Sequence, residues 1–269
     1  MTTIEQLLQI MDRLRDPVQG CPWDRAQTFG TIVPHTLEEA YEVADTIERE
    51  RYEDLPGELG DLLFQVVFYA RMAQERGWFD FNTVVQSICD KLVHRHPHVF
   101  GEATVTDTHT QTLAWEQLKE QERREKNNKT GVLDGIPLAL PALTRATKLQ
   151  KRAAHVGFDW PTIEPVMDKI AEELGELEDA IHRHSPHAEA ELGDLLFACV
   201  NLARHAGIEP ERALRCANRR FAERFRYMEA KLRDAGRDIR SATLAEMDTY
   251  WEEAKKVEEA GGSVLPSAR

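Results

Sequence analysis

The sequence predicts an all-α protein made of two tandem, related helical domains, each built like a four-helix bundle. Three observations carry this. Glu58-Leu59-Gly60-Asp61-Leu62-Leu63-Phe64 recurs letter for letter as Glu191-Leu192-Gly193-Asp194-Leu195-Leu196-Phe197. Apolar residues follow a helical period around both copies, and no segment shows convincing strand alternation. A chain of 269 residues, 42% of them hydrophobic, is long enough for two cores, since domains commonly hold roughly 100–150 residues.

The first copy opens with Trp23-Asp24, loosely echoed in the second by Asp159-Trp160. Next, Glu38-Glu39-Ala40-Tyr41-Glu42 matches Glu172-Glu173-Leu174-Gly175-Glu176. Leu37, Ala40, Ala44 and Ile47 in one half, and Ile170, Leu174, Leu177 and Ile181 in the other, mark these segments as amphipathic helices. Connections containing Pro56-Gly57 and Ser185-Pro186 follow. Then Leu59, Leu62, Leu63, Val66, Val67 and Ala70, and likewise Leu192, Leu195, Leu196, Cys199, Val200 and Ala203, define a second helix in each copy. Further on, Lys91 with Arg95 corresponds to Arg220 with Arg224, and Trp115 with Lys119 to Trp251 with Lys255, in the same order and spacing. The polar tract 125–131 and the turn residues Asp134-Gly135-Ile136-Pro137 separate the copies. The expected organisation is an N-terminal domain at 1–125, a linker at 126–137 and a C-terminal domain at 138–269.

Antiparallel packing of each acidic helix pair is the natural arrangement. A helix turns about 100° per residue, so the glutamates of Glu-Glu-x-x-Glu share one face and Glu-x-x-Asp puts its pair on one side of the next helix. Facing each other, the two helices converge four or five carboxylates. A single such motif is what any solvated acidic face carries, and Glu58, Asp61, Glu191 and Asp194 alone would serve to complement a helix dipole. Two matched sets call for a shared role. Convergent carboxylates repel one another unless protonated or bridged by cations, and hard oxygen ligands suit Mg²⁺ or Mn²⁺. A di-iron site would need Glu-x-x-His motifs, which neither acidic helix pair supplies. Magnesium keeps waters and bridges to substrate phosphates, so the constellation points to phosphate chemistry, with the recurring cations on phosphates and the indole near a base.

Composition narrows the partners. A net charge of −13 disfavours a nucleic-acid strand, which binds to basic surfaces that release counterions. Four scattered cysteines, Cys21, Cys89, Cys199 and Cys216, form no Cys-x-x-Cys pair, against both a zinc site and a disulfide framework. The start of the chain lacks a basic and apolar leader, and its longest nearly apolar run, Leu62 to Ala70, is too short for a bilayer. These features lead us to expect a cytoplasmic protein with no membrane partner. The runs His94-Arg95-His96-Pro97-His98 and His182-Arg183-His184 read as exposed turns rather than metal ligands.

The duplicated Glu-Glu-x-x-Glu and Glu-x-x-Asp motifs, with Cys21-Pro22-Trp23-Asp24, closely resemble the MazG family of nucleoside triphosphate pyrophosphohydrolases over nearly the whole chain. That family belongs to the all-α NTP pyrophosphatases, which include dimeric dUTPases. The resemblance implies Mg²⁺ held by Glu173, Glu176, Glu191 and Asp194, with Glu39, Glu42, Glu58 and Asp61 as N-terminal counterparts. It implies a catalytic set of Glu172, Glu173, Glu176, Glu191 and Asp194, and nucleotide contacts from Lys169, Glu172, Arg220, Arg224, Trp251 and Lys255. Glu38, Lys91, Arg95, Trp115 and Lys119 form the possible N-terminal copy. His187 stands where the family commonly has a lysine. The implied reaction is hydrolysis of (d)NTPs to (d)NMP and pyrophosphate by metal-assisted attack of water, with house-cleaning of modified nucleotides as a further role and a homodimer as the assembly. A helical scaffold whose acidic faces bind a basic partner is the alternative of another class, and metal-dependent pyrophosphate release separates the two. Lys169 precedes the C-terminal glutamates where His35 precedes the N-terminal ones, so the C-terminal site is expected to carry more of the turnover.

Overall fold

Regular structure is entirely helical across residues 3–101 and 131–259, the residues described by the computed structural model of the chain. The chain divides into two compact units, Met1–Gln121 and Glu122–Arg269. Within the first lie α1 (Ile4–Leu14), α2 (Pro22–Ala26), α3 (Phe29–Glu48), α4 (Leu55–Glu75), α5 (Phe81–Arg95) and the short α6 (Pro97–Phe100). The second holds α7 (Ala142–His155), α8 (Glu164–His182), α9 (Ala188–His205), α10 (Pro210–Asp234) and α11 (Leu244–Glu259). Of the expected linker, 126–130 lie outside the described residues, as do Trp115 and Lys119. What is described of it, 131–137, is turn-rich.

The two acidic helices of each copy pack against each other as α3 with α4 and α8 with α9. Local chemistry sets their ends. Thr28 caps α3 by accepting from the Thr31 amide at 3.3 Å, while the Thr31 hydroxyl accepts from the Thr28 amide at 2.8 Å. Pro56 and Gly57, expected in a connection, instead belong to the first turn of α4. Proline is tolerated there because the amides of the first turn have no intrahelical acceptor. The actual turns pass through Glu50 at φ 57° and His184 at φ 50°. These left-handed, non-glycine residues occupy matching places after the first acidic helix of each copy.

Met11, Ile32, Val67, Phe68 and Met72 form the core of the first unit, binding α1, α3 and α4 together. Each large side chain so buried contributes roughly 1.5–3 kcal/mol. In the second unit Val166, Val200, Met228, Leu232 and Ala254 are buried along α8 to α11. The apolar stripes on the second acidic helices are only partly consumed by these cores. Val67, Ala70 and Val200 are buried, but Leu59, Leu63 and Val66 in one copy, and Leu192 and Leu196 in the other, remain exposed, Leu196 by 50%.

Candidate metal and nucleotide site

Packing of α8 on α9 brings Glu173, Glu191 and Asp194 together, with one carboxylate oxygen of each within 4.8 Å of the others. Glu39, Glu58 and Asp61 meet in the same way between α3 and α4. Sequence spacing therefore converges three carboxylates per copy. The fourth expected ligand of each set, Glu176 or Glu42, stands one turn further along the first helix and outside these trios. Glu173 is the buried member, at 5% exposure, whereas Asp194 is exposed.

The electrostatics are those of crowded acids. Burial, followed by Glu173 and Glu191, raises the Glu176 carboxyl above its ordinary range. Burial, followed by Asp61 and Glu42, does the same to Glu39. Like charges held this close disfavour full ionisation, and a hard divalent cation relieves that conflict. The donor set, all carboxylate oxygen, thus fits Mg²⁺ or Mn²⁺. Lys169 lies beside the C-terminal trio, its Nζ 2.8 Å from Glu173 and 2.9 Å from Glu172, and these carboxylates raise its pKa. It is a fixed positive charge at the mouth of the cluster. In the first copy its place is taken by His35, 3.7 Å from Glu38 and edge-on to the Trp23 ring.

Beside the C-terminal trio opens a cavity of about 670 Å³ whose lining includes Lys169, Glu173 and Asp194. Its remaining wall comes from Leu133, α7, the loop before α8, and α9, and includes Gln150, Phe158, Trp160 and Asn201. Asp159 anchors that loop. Arg204 of α9 donates to both of its carboxylate oxygens, His205 Nε2 lies 3.1 Å from it, and the Trp160 amide donates to it at 3.0 Å. Hydrogen bonding from Arg204 holds the Asp159 carboxyl below the usual range. A smaller cavity in the first unit, about 130 Å³, is walled by residues such as Met11, Val67 and Phe81 and includes none of that copy's acidic trio.

The repeat explains this difference. With Phe64 aligned to Phe197, Gln65 corresponds to Ala198 and Phe68 to Asn201. Phe68 is fully buried in the first core, under the Arg15 guanidinium at 5.3 Å, and Gln65 Nε2 donates to Glu39 at 3.5 Å. Phenylalanine thus stands in the first core where the second copy has an asparagine on its cavity lining.

A sequence model of the MazG nucleotide pyrophosphohydrolase domain matches residues 27–100 and again 162–227. The chain belongs to the MazG family. Both matches contain an acidic helix pair, so the family domain coincides with each carboxylate trio. MazG relatives align along nearly the full length. The nucleoside triphosphate pyrophosphohydrolase of Escherichia coli K12 is 51% identical over 96% of this chain and 99% of its own. The nucleoside triphosphate pyrophosphohydrolase/pyrophosphatase MazG of Thermotoga maritima is 42% identical over 93% and 95%. YabN of Bacillus subtilis is 40% identical over 93% of this chain, which spans 51% of YabN.

The remaining residues expected in a MazG nucleotide site form a separate group on α10 and α11. Arg224 pairs with Glu258 at 2.6 Å and lies 5.8 Å from the Trp251 ring, which packs on Phe221 at 5.2 Å. Lys255 pairs with Glu252 at 2.5 Å, and Arg220 is exposed. None of these four lines the cavity. In the first unit, Lys91 and Arg95 lie on α5 and Glu38 is exposed, as is His187 of the second unit just before α9. Gln150 and Asn201 were not expected in the site. The signal available for Asn201 was a polar residue at the place where the other copy carries phenylalanine.

Proposed function

We propose that the chain is a Mg²⁺-dependent nucleoside triphosphate pyrophosphohydrolase that cuts (d)NTPs between the α and β phosphates, with the C-terminal copy as the principal site. The observation that carries this reading is the adjacency of the Glu173, Glu191 and Asp194 trio, Lys169 and a nucleoside-sized cavity in one unit. Mg²⁺ held by that trio, with Glu176 beside it, supplies charge neutralisation and polarisation of phosphate oxygens. Lys169, already placed among the carboxylates, offsets negative charge on the phosphate chain. Glu176, one turn beyond Glu173 and outside the trio, is the carboxylate left to orient the attacking water or accept its proton. Attack of that water at the α-phosphorus forms the monophosphate as the bond to pyrophosphate breaks. No covalent intermediate with the chain is needed.

The work fits the cytoplasm, where nucleoside triphosphates are made and used. Among the described residues no helix is long and apolar enough to cross a membrane. A second copy of the chain suits the exposed leucines on the acidic helices, since a two-helix layer with an open apolar face buries it on association. Product analysis tests the chemistry. Canonical and modified (d)NTPs incubated with Mg²⁺ should yield (d)NMP and pyrophosphate in equal amounts, whereas (d)NDP and orthophosphate, or no turnover, would overturn the assignment.

A further inference from the structure

We infer that the cavity beside the C-terminal carboxylates is the nucleoside pocket, and that Gln150 and Asn201 select the base by its hydrogen-bonding edge. This deepens the pyrophosphohydrolase reading and rests on it. Gln150, on α7, is 7% exposed and donates from Nε2 to the Phe197 carbonyl oxygen at 2.8 Å. That bond fixes which way the amide points, because a carbonyl oxygen can only accept. The Gln150 Oε1 is left as an enclosed acceptor with no partner. Buried acceptors are rarely left so, and one on a cavity wall marks where a ligand N–H belongs.

Asn201, on α9, supplies the complement. Its Oδ1 receives both Nε and Nη2 of Arg204, at 3.0 and 2.7 Å, and Arg204 is itself locked to Asp159. With its oxygen taken, Asn201 has its Nδ2 donor to offer. Gln150 and Asn201 thus bring an enclosed acceptor without a partner, and an amide whose oxygen is already engaged, to the lining that also includes Phe158 and Trp160. A heterocyclic base presents an N–H next to an acceptor on its edge and a flat apolar face, so it answers both features. The volume of about 670 Å³ holds a nucleoside, and Lys169, Glu173 and Asp194 of its lining meet the phosphates. Phe68 occupies the position of Asn201 in the first copy, so that copy lacks the Asn201 amide.

Steady-state rates on ATP, GTP, CTP, UTP and base-free ribose 5-triphosphate test the inference. Gln150→Leu should lower kcat/KM on the preferred nucleotide by about 10- to 100-fold, mainly through KM, flatten the ranking among bases, and spare ribose 5-triphosphate. Asn201→Asp keeps the side-chain size and an oxygen for Arg204 but replaces the amide donor by a charged acceptor, so it should change the ranking of bases and cost more on nucleotides than on ribose 5-triphosphate. An equal loss on ribose 5-triphosphate, or an unchanged ranking of bases in both variants, overturns the inference. Should the wild type cut no triphosphate, the parent reading fails, and calorimetry with α,β-imido nucleotides still decides the pocket. Weaker binding of the imido nucleotides to Gln150→Leu supports it, and equal binding refutes it.

Discussion

Replacing Asp194 by asparagine should make the metal-free protein more stable and the enzyme inactive. Its carboxylate lies within 4.8 Å of those of Glu173 and Glu191, where a pair of unit charges repels by roughly 1 kcal/mol at the dielectric of water and roughly 3.5 kcal/mol at an effective value near 20. Asp194 is exposed and has no cationic partner among the ion pairs of the described residues, so the low end applies. Removing two repulsive pairs should then raise metal-free stability by about 1–2 kcal/mol. With saturating Mg²⁺ the order reverses. Wild type gains the free energy of ion binding, while the variant lacks one of three clustered ligands. Thermal melts in chelator and in Mg²⁺ read the crossover, and pyrophosphate release should fall at least about 100-fold. A variant less stable than wild type in chelator, or one that still gains stability and turnover from Mg²⁺ as wild type does, would refute the assignment of Asp194 to a metal cluster.

The double variant Glu173→Ala/Glu176→Ala should lose far more activity than Glu39→Ala/Glu42→Ala, and the opposite order in pyrophosphate assays would make the N-terminal copy the principal site. Asp159→Asn should cost about 2 kcal/mol at neutral pH through loss of the charged bonds from Arg204. Because the folded Asp159 carboxyl is held below its ordinary range, its stabilisation is present above that range and lost as pH falls through the lowered value. Urea midpoints of wild type and Asp159→Asn should therefore converge in acid, and a gap that stays constant down to about pH 3 would exclude this linkage. Light scattering should give twice the chain mass of 30.8 kDa, and a monomer at micromolar concentration would contradict the homodimer.

Helical period and the exact repeat made the α3/α4 and α8/α9 pairs legible, because an i, i+3, i+4 pattern settles which faces meet. Convergence of Glu173 with Glu191 and Asp194 follows from the same geometry. Pro56 misleads, since proline suits a first helical turn as well as a connection, and only the tertiary path decides between them. The cavity wall was not legible. Gln150 and Asn201 acquire meaning only from partners distant in sequence, the Phe197 carbonyl and the Arg204 guanidinium. Likewise, i,i+4 spacing placed Trp251 and Lys255 on one face of a helix but carried no information about Glu258 or Glu252, which engage the neighbouring cations.

The exchange of Phe68 for Asn201 between the copies shows what duplication makes available to an enzyme. An empty pocket lined by an unsatisfied amide weakens the fold that contains it, and a lone domain must carry that weakness together with its chemistry. Here the same helix pair exists twice in one chain, and the copy with the packed phenylalanine has a filled core at that position, although its own Gln65 Oε1 is also enclosed without a partner. Selection can therefore tune the open copy for ligands while the closed one drifts toward a tighter core. Substitutions at matched positions should accordingly be tolerated unequally, with changes around Phe68 read out in melting behaviour and changes around Asn201 in substrate preference.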